Sequence, residues 1–171
     1  ALFFGRGREV QTVVDRLRAH SFVVVTGDSG VGKSSLCRAG VLPAVRDGVL
    51  DPARTWTAAA IHPDRHPGQA LVAALACCLQ QLPATVSAAL DEDSAKFVRG
   101  LREDLADSRG IVLFIDQLEE LITLAEPFEA ASTAHLLGLL IADIPGVRVL
   151  AAARSDFLTR IAELPGLRDE L

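Results

Sequence analysis

Gly27-Asp28-Ser29-Gly30-Val31-Gly32-Lys33-Ser34 forms a G-x-x-x-x-G-K-[ST] run, and the chemistry of that spacing is phosphate binding. Glycines at 27, 30 and 32 permit backbone angles that a Cβ opposes, so successive N–H groups converge into an anion nest. Lys33 supplies a compact ammonium for β and γ phosphates, and the Ser34 hydroxyl is a ligand for Mg²⁺. The expected binding surface is Asp28, Ser29, Gly30, Val31, Gly32, Lys33, Ser34 and Ser35. Lysine recurs only at Lys96, among 17 basic residues. A flexible ammonium bridges phosphates where a planar guanidinium would crowd the loop.

A second carboxylate-bearing segment completes such a site. Ile111-Val112-Leu113-Phe114-Ile115 precedes Asp116, the form of a Walker B strand that carries a metal-holding carboxylate to the edge of a sheet. Four apolar residues before an Asp also describe a turn or helix cap, so the distance downstream of the phosphate loop gives the pattern its meaning. Glu119 and Glu120 follow at a spacing that lets either handle an attacking water. Two solvated glutamates on the first turn of a helix have the same pattern, because the dipole favours them there. Arg154 closes a later apolar run, where its guanidinium can meet a γ phosphate. An ordinary surface arginine fits that position equally.

These residues need a scaffold that gathers loop ends at one edge. Helical spacing of Val10, Val13, Val14 and Leu17 predicts a helix over Gly7 to Ala19, and Ser21 to Thr26 reads as a buried strand. The phosphate loop opens the next helix, with Pro43 and Gly48 as stop signals. Strands are expected over Thr55 to Ile61, Ile111 to Ile115 and Val147 to Ala153. Helices are expected over Gln69 to Leu82, Ser94 to Ala106, Leu118 to Leu124, Pro127 to Ile144 and Asp156 to Leu164, with an unassigned polar stretch from Pro83 to Asp93. Alternating strands and helices imply an α/β fold with a parallel sheet covered on both faces and ligands at the carboxyl ends of its strands.

Composition sets outer bounds. A chain of 171 residues fits one domain and buries roughly 70% of its unfolded surface. Half of it is hydrophobic and mean hydropathy is +0.31, yet no apolar stretch reaches the roughly 18 to 20 residues a membrane span needs. No basic-then-apolar leader opens it either. Three cysteines, Cys37, Cys77 and Cys78, lack any C-x-x-C spacing and read as small buried thiols in a reducing compartment, so the cytoplasm is expected. A net charge of −5 without a Lys/Arg stripe argues against nucleic acid as the main partner. His62, Asp64 and His66 sit among prolines that prevent helical one-face spacing, so no metal site is expected there. Trp56 reads as core. With no Met anywhere, the chain is expected to be a module of a longer protein or a processed one.

Taken together the residues resemble the STAND class of signal-transduction ATPases, related to NACHT and AP-ATPases, and most closely its bacterial novel STAND subgroup. Phe3-Phe4-Gly5-Arg6-Gly7-Arg8-Glu9 is similar to the hhGRxxE element that packs near adenine in this class, although many members have Glu where Gly7 stands. The phosphate loop continuing into Leu36, Arg38-Ala39-Gly40 and Leu42-Pro43-Ala44 resembles that subgroup's loop and helix. Asp116-Gln117-Leu118-Glu119-Glu120-Leu121 resembles its Walker B tail, and Ala153-Arg154-Ser155-Asp156-Phe157 its sensor strand and turn.

The resemblance implies a three-layer α/β/α P-loop NTPase of the additional-strand (ASCE) type, the sensor strand lying between the phosphate-loop and Walker B strands. It implies ATP or ADP and Mg²⁺ as ligands, with Phe4, Gly5 and Arg6 on the adenine side and Lys33, Asp116, Glu119, Glu120 and Arg154 as the catalytic set. Residues 1–20 would form the adenine-side segment and first helix, and 21–171 the αβ core. A lid and a winged-helix module are expected beyond 171, so this stretch alone would bind weakly or hydrolyse slowly. The implied function is a switch, a resting ADP-bound monomer and an ATP-bound homo-oligomer, with sensor and effector domains attached, in bacterial signalling or defence. Other readings of the residues are a continuously cycling AAA-like ATPase or loader acting on nucleic acid or protein, and a scaffold with structural nucleotide. The acidic balance weighs against the loader, and the lack of an N-K-x-D tetrapeptide against a GTPase.

Overall fold

Four apolar runs become the four strands of one parallel sheet in the computed structural model, which describes residues 5–106 and 108–168 and, at Asp143, the backbone only. The strands are β1 (Phe22–Thr26), β2 (Thr55–Ile61), β3 (Arg109–Ile115) and β4 (Val147–Ala153). Their order is β1-β4-β3-β2, all neighbours parallel. β4, the last of these strands in sequence, therefore enters between β1 and β3, the additional-strand arrangement.

β3 is central, and every residue from Gly110 to Ile115 is buried, as a strand covered on both faces requires. Alternation assigns its side chains: Val112 and Phe114 join Leu150 and Ala152 of β4 in one apolar layer, while Ile111, Leu113 and Ile115 join Val147, Val149, Ala151 and Ala153 in the other. The first layer is closed by α1 (Gly7–Ala19), through Val13, Val14 and Leu17, and by the helix after the phosphate loop. The second is closed by α4 (Pro67–Leu79), α5 (Pro83–Leu105) and α7 (Pro127–Asp143), with the short α8 (Leu158–Ile161) at its edge. Short α6 (Glu120–Thr123) follows the turn after β3.

The phosphate-loop helix departs from expectation at Pro43. It begins as α2 (Lys33–Ser35), widens into a π-helical stretch (Leu36–Val41) and continues as α3 (Leu42–Arg46). Pro43 does not stop it: the proline falls in the first turn of α3, second after Leu42, where its missing N–H and fixed φ are tolerated. The helix ends where the second signal stood: Gly48 takes φ +80°, its N–H donates to Val45 O at 3.0 Å, and the Val49 N–H donates to Ala44 O at 3.2 Å.

The polar stretch from Pro83 to Asp93 is helical as well. Asp93, with extended backbone, breaks α5 in two, and its carboxylate accepts from the Lys96 N–H at 2.8 Å, so it caps the second half. The helix expected over Asp156 to Leu164 shrinks to a 3₁₀ turn (Ser155–Phe157) and α8. Pro165-Gly166 then folds back on α7, where the Gly138 position lies against the Gly166 backbone. Trp56 is buried, as are Cys37 and Cys78, but Cys77 is exposed because it falls on the outer face of α4. No single helix among the described residues is long and apolar enough to cross a membrane. The one pair that passes on composition, α4 with α5, is bent by 115° and feeds its apolar residues into the core.

Candidate functional site

β1 ends at Thr26 and the chain turns through the glycine loop at the carboxyl edge of the sheet. Gly30 and Gly32 adopt φ +82° and +85°, left-handed angles that disfavour any residue with a Cβ. The loop is closed from inside by Lys33, whose Nζ donates to Gly27 O at 2.7 Å and Asp28 O at 2.8 Å. Among the described residues Lys33 forms no ion pair, so its charge is directed at the loop itself. From outside, Arg6 at the foot of α1 donates from Nη1 to Val31 O at 3.2 Å and to Gly32 O at 3.5 Å, and its Nε pairs with Glu9.

Asp116 meets this loop from the end of β3. Its Oδ1 accepts from the Ser34 hydroxyl at 2.6 Å, and its Oδ2 accepts from Arg38 Nε at 3.0 Å. His62, just past β2, lies 3.7 Å from Oδ2 and shares a contact with the Arg38 guanidinium. The carboxylate is 3% exposed, and hydrogen bonds and an opposite charge are what such a buried anion requires. The turn beyond it is pinned to both neighbouring strands: the Asp116 N–H donates to Ile61 O and the Leu118 N–H to Ala152 O, each at 2.9 Å. Gln117 between them takes φ +60°.

The adjacent glutamates part company. Glu119 is buried, and its Oε2 accepts from the Arg154 N–H at 3.2 Å, joining the turn after Asp116 to the end of β4. Glu120 turns the other way, its Oε2 accepting from the Asp64 N–H at 3.0 Å in the loop after β2. The Arg154 side chain is held in a fork by Asp156, with Nε–Oδ1 at 3.0 Å and Nη2–Oδ2 at 2.7 Å, over the face of Phe157. Those hydrogen bonds hold the Asp156 carboxyl below its ordinary value and the Arg154 guanidinium above its own. Burial, with a smaller push from Asp116, raises the Cys37 thiol to about 12.

These groups surround one cavity of about 530 Å³. Its loop side is Ser29, Gly30, Gly32, Lys33, Ser34 and Ser35; its far side is Asp116, Glu119, Glu120 and Arg154. Of the residues singled out in the sequence, Asp28, Val31, Gly5 and Arg6 are not on its wall. Asp28 and Val31 contribute carbonyls to the lysine and to Arg6, and Gly5 sits exposed at φ +93°. Phe4 lies outside the described residues. The wall also includes Gln117, Thr123, Leu124, Ala152 and Phe157, which sequence reasoning passed over. Arg38 and His62 were missed as partners of Asp116. The Ser34–Arg38 interval of four residues, one helical turn, was the available signal.

The arrangement fits a metal–triphosphate group: a nest of backbone donors, an ammonium without an acidic partner, and a hydroxyl and a carboxylate in contact where a hard divalent ion takes oxygen ligands. Among the described residues no cluster of three His, Cys, Asp or Glu has metal-holding geometry elsewhere.

Comparison with known proteins agrees with this fold. A family model described as novel STAND NTPase 1 matches residues 1–171. No curated protein matches. Among solved structures, the chain resembles the Aeropyrum pernix ORC2 protein, determined as ADPNP–ADP complexes, with a TM-score of 0.64 and 14% identity. The match covers 99% of this chain and 44% of that one, so the chain spans less than half the length of that relative, and the likeness is one of fold.

Proposed function

The chain belongs to the novel STAND NTPase 1 family, and on that premise we propose that it binds ATP and ADP with Mg²⁺, hydrolyses ATP, and serves as the regulatory switch of a cytoplasmic bacterial signalling or defence protein. The single observation that carries the nucleotide reading is Ser34 Oγ against Asp116 Oδ1 at 2.6 Å, on the wall of the cavity that the Lys33 loop opens. Two segments 82 residues apart in sequence meet there. The relative solved with ADPNP and ADP supports the same ligand class.

In this reading the loop amides of residues 29–34 bind the β and γ phosphates, and Lys33 exchanges its two carbonyl partners for phosphate oxygens. Ser34 and Asp116 hold the Mg²⁺, which supplies charge neutralisation at the phosphates when bound. Glu119, facing the cavity, orients and deprotonates the attacking water. Arg154 reaches a γ phosphate only by leaving Asp156, so the conformation described is one in which the sensor arginine is parked. A parked sensor suits a switch whose two states differ by which anion the arginine holds. The adenine is assigned to the segment of Phe4, Gly5 and Arg6, the last of which reaches the loop at Val31 O and Gly32 O. Residues 1–20 and 21–171 act as one NTPase domain, with lid, winged-helix, sensor and effector modules outside it. The ATP state favours a homo-oligomer, and neither membrane nor nucleic acid is a partner.

Lys33→Ala tests the core of this proposal. Calorimetry should find ATP affinity reduced at least about 100-fold, because charge-assisted contacts to two phosphates are lost. Unchanged affinity refutes the site. Sedimentation with ADP and with a non-hydrolysable ATP analogue tests the switch, and equal mass in both states refutes that part. Strong stimulation of turnover by DNA would favour the cycling loader instead.

A further inference from the structure

We infer that Arg38 is a positioning residue for the magnesium site: it fixes the orientation of Asp116 and thereby sets how much Mg²⁺ the protein needs to hold a triphosphate. This inference rests on the nucleotide reading above.

Arg38 lies one turn beyond Ser34 on the phosphate-loop helix, and the two side chains divide one carboxylate between them. Ser34 Oγ takes Oδ1 at 2.6 Å and Arg38 Nε takes Oδ2 at 3.0 Å. With both oxygens engaged from the same helix, the carboxylate cannot rotate about its terminal bond without breaking a charge-assisted bond. Arg38 is itself fixed on two further sides. Its guanidinium lies 5.6 Å from the centroid of the Phe114 ring, inside cation–π range, and its Nη2 contacts His62 Nε2 at the end of β2. Phe114 and Asp116 are two apart on one strand and so face the same helix, which brings ring, carboxylate and guanidinium together.

The burial of the pair is unequal: the Asp116 side chain is 4% exposed and that of Arg38 40%. The carboxylate depends on the arginine far more than the reverse. Removing the arginine leaves a buried anion with only a hydroxyl and a histidine beside it, free to turn away from Ser34. A placeholder displaced by the arriving ion would need none of the bracing by Phe114 and His62. The two roles predict opposite signs, since loss of a competing charge would ease metal binding and loss of orientation would hinder it.

The experiment is a Mg²⁺ titration of ATP affinity, followed by a fluorescent ATP analogue, for the parent, Arg38→Ala and Arg38→Lys. Without Mg²⁺, in chelator, Arg38→Ala should bind the analogue within about threefold of the parent, since the loop amides and Lys33 are untouched. With Mg²⁺ added, its half-saturating concentration should rise at least about tenfold, and Arg38→Lys, which restores charge but lacks the planar guanidinium that lies over Phe114 and reaches His62, should fall between. Circular dichroism reports folding; if Arg38→Ala is unfolded, Arg38→Lys decides alone, with a rise of at least about threefold expected. An unchanged or lowered Mg²⁺ requirement in the folded variant overturns the inference while the nucleotide reading stands. A parent protein that binds no analogue with or without Mg²⁺ overturns both.

Discussion

Glutamine in place of Glu119, and separately in place of Glu120, tests two neighbours that share one cavity wall but are held by different elements, Glu119 by the end of β4 and Glu120 by the loop after β2. Glu119 is 9% exposed and faces the cavity. As the base for the attacking water it is worth about 10²- to 10⁴-fold in rate, or about 2.7 to 5.4 kcal/mol of barrier at about 1.36 kcal/mol per tenfold. The amide keeps an oxygen for the Arg154 N–H, so the fold loses only the difference between a charged and a neutral acceptor, about 1 kcal/mol. In a chain this long that is about 2 to 4 °C in Tm. Glu120 is spent on the Asp64 N–H, and its amide should change the rate by no more than about threefold. Single-turnover phosphate release at saturating Mg·ATP measures both variants, with calorimetry to confirm that ATP still binds. The reasoning fails if Glu120→Gln falls as far as Glu119→Gln, or if both stay within threefold of the parent.

Asp156 titrates below its ordinary value because of Arg154, so its contribution to stability is present above about pH 4 and disappears as pH falls through the native-state value. Asp156→Asn should therefore lower the urea midpoint at pH 7, and the difference from the parent should narrow as pH falls below about 4; a gap that does not narrow with acid contradicts this. Alkylation of the native protein at pH 8 should label Cys77 alone, since burial lifts the Cys37 thiol to about 12 and the Cys78 thiol to about 11. Peptide mapping that finds Cys37 labelled at the same rate would contradict the burial argument. Gly138→Ala should destabilise by about 1 to 3 kcal/mol, because its Cβ would sit 2.7 Å from the Gly166 backbone, which cannot yield as a side chain does. Gly100→Ala, also in a helix but with open space around it, should stabilise by up to about 1 kcal/mol; urea melts giving the two the same sign would count against both.

The features legible in the sequence were those fixed by local rules. The strands are continuous apolar runs bounded by Gly, Pro or polar residues, and the glycine loop has one backbone solution, so β1 to β4 and the Lys33 nest could be read directly. Features set by tertiary partners were not. Pro43 is a helix stopper by propensity, but it falls in the first turn of α3, where its missing N–H is tolerated. The segment from Pro83 to Asp93 has little apolar periodicity, and its helix owes its place to packing of Val86 against the core. Within the site, Asp116 and Ser34 were found because the motif ties them, whereas the one-turn spacing of Ser34 and Arg38 puts both on one helix face but does not name Asp116 as their shared partner until β3 is laid beside that helix. Glu119 and Glu120 could not be told apart by pattern, because the choice depends on β4 and the β2 loop lying on opposite sides of them. Phe157, quoted in the sequence only as part of the turn after the sensor strand, provides the face on which Arg154 rests.

The stretch 36–41 gives the loop helix an unusual pitch. Cys37, Val41 and Val45 are buried at intervals of four, longer than the 3.6 residues of an α-turn, so on a regular helix that stripe would drift around the barrel of the rod. Loosened winding keeps the stripe straight along the sheet while Ser34 and Arg38 stay aligned over a single carboxylate. Losing one amino acid there would put the two requirements out of phase: either the greasy stripe or the polar pair would swing off its target. The helix thus behaves as a gear with a fixed tooth count, and its length between lysine and proline is as much a part of the nucleotide machinery as the lysine.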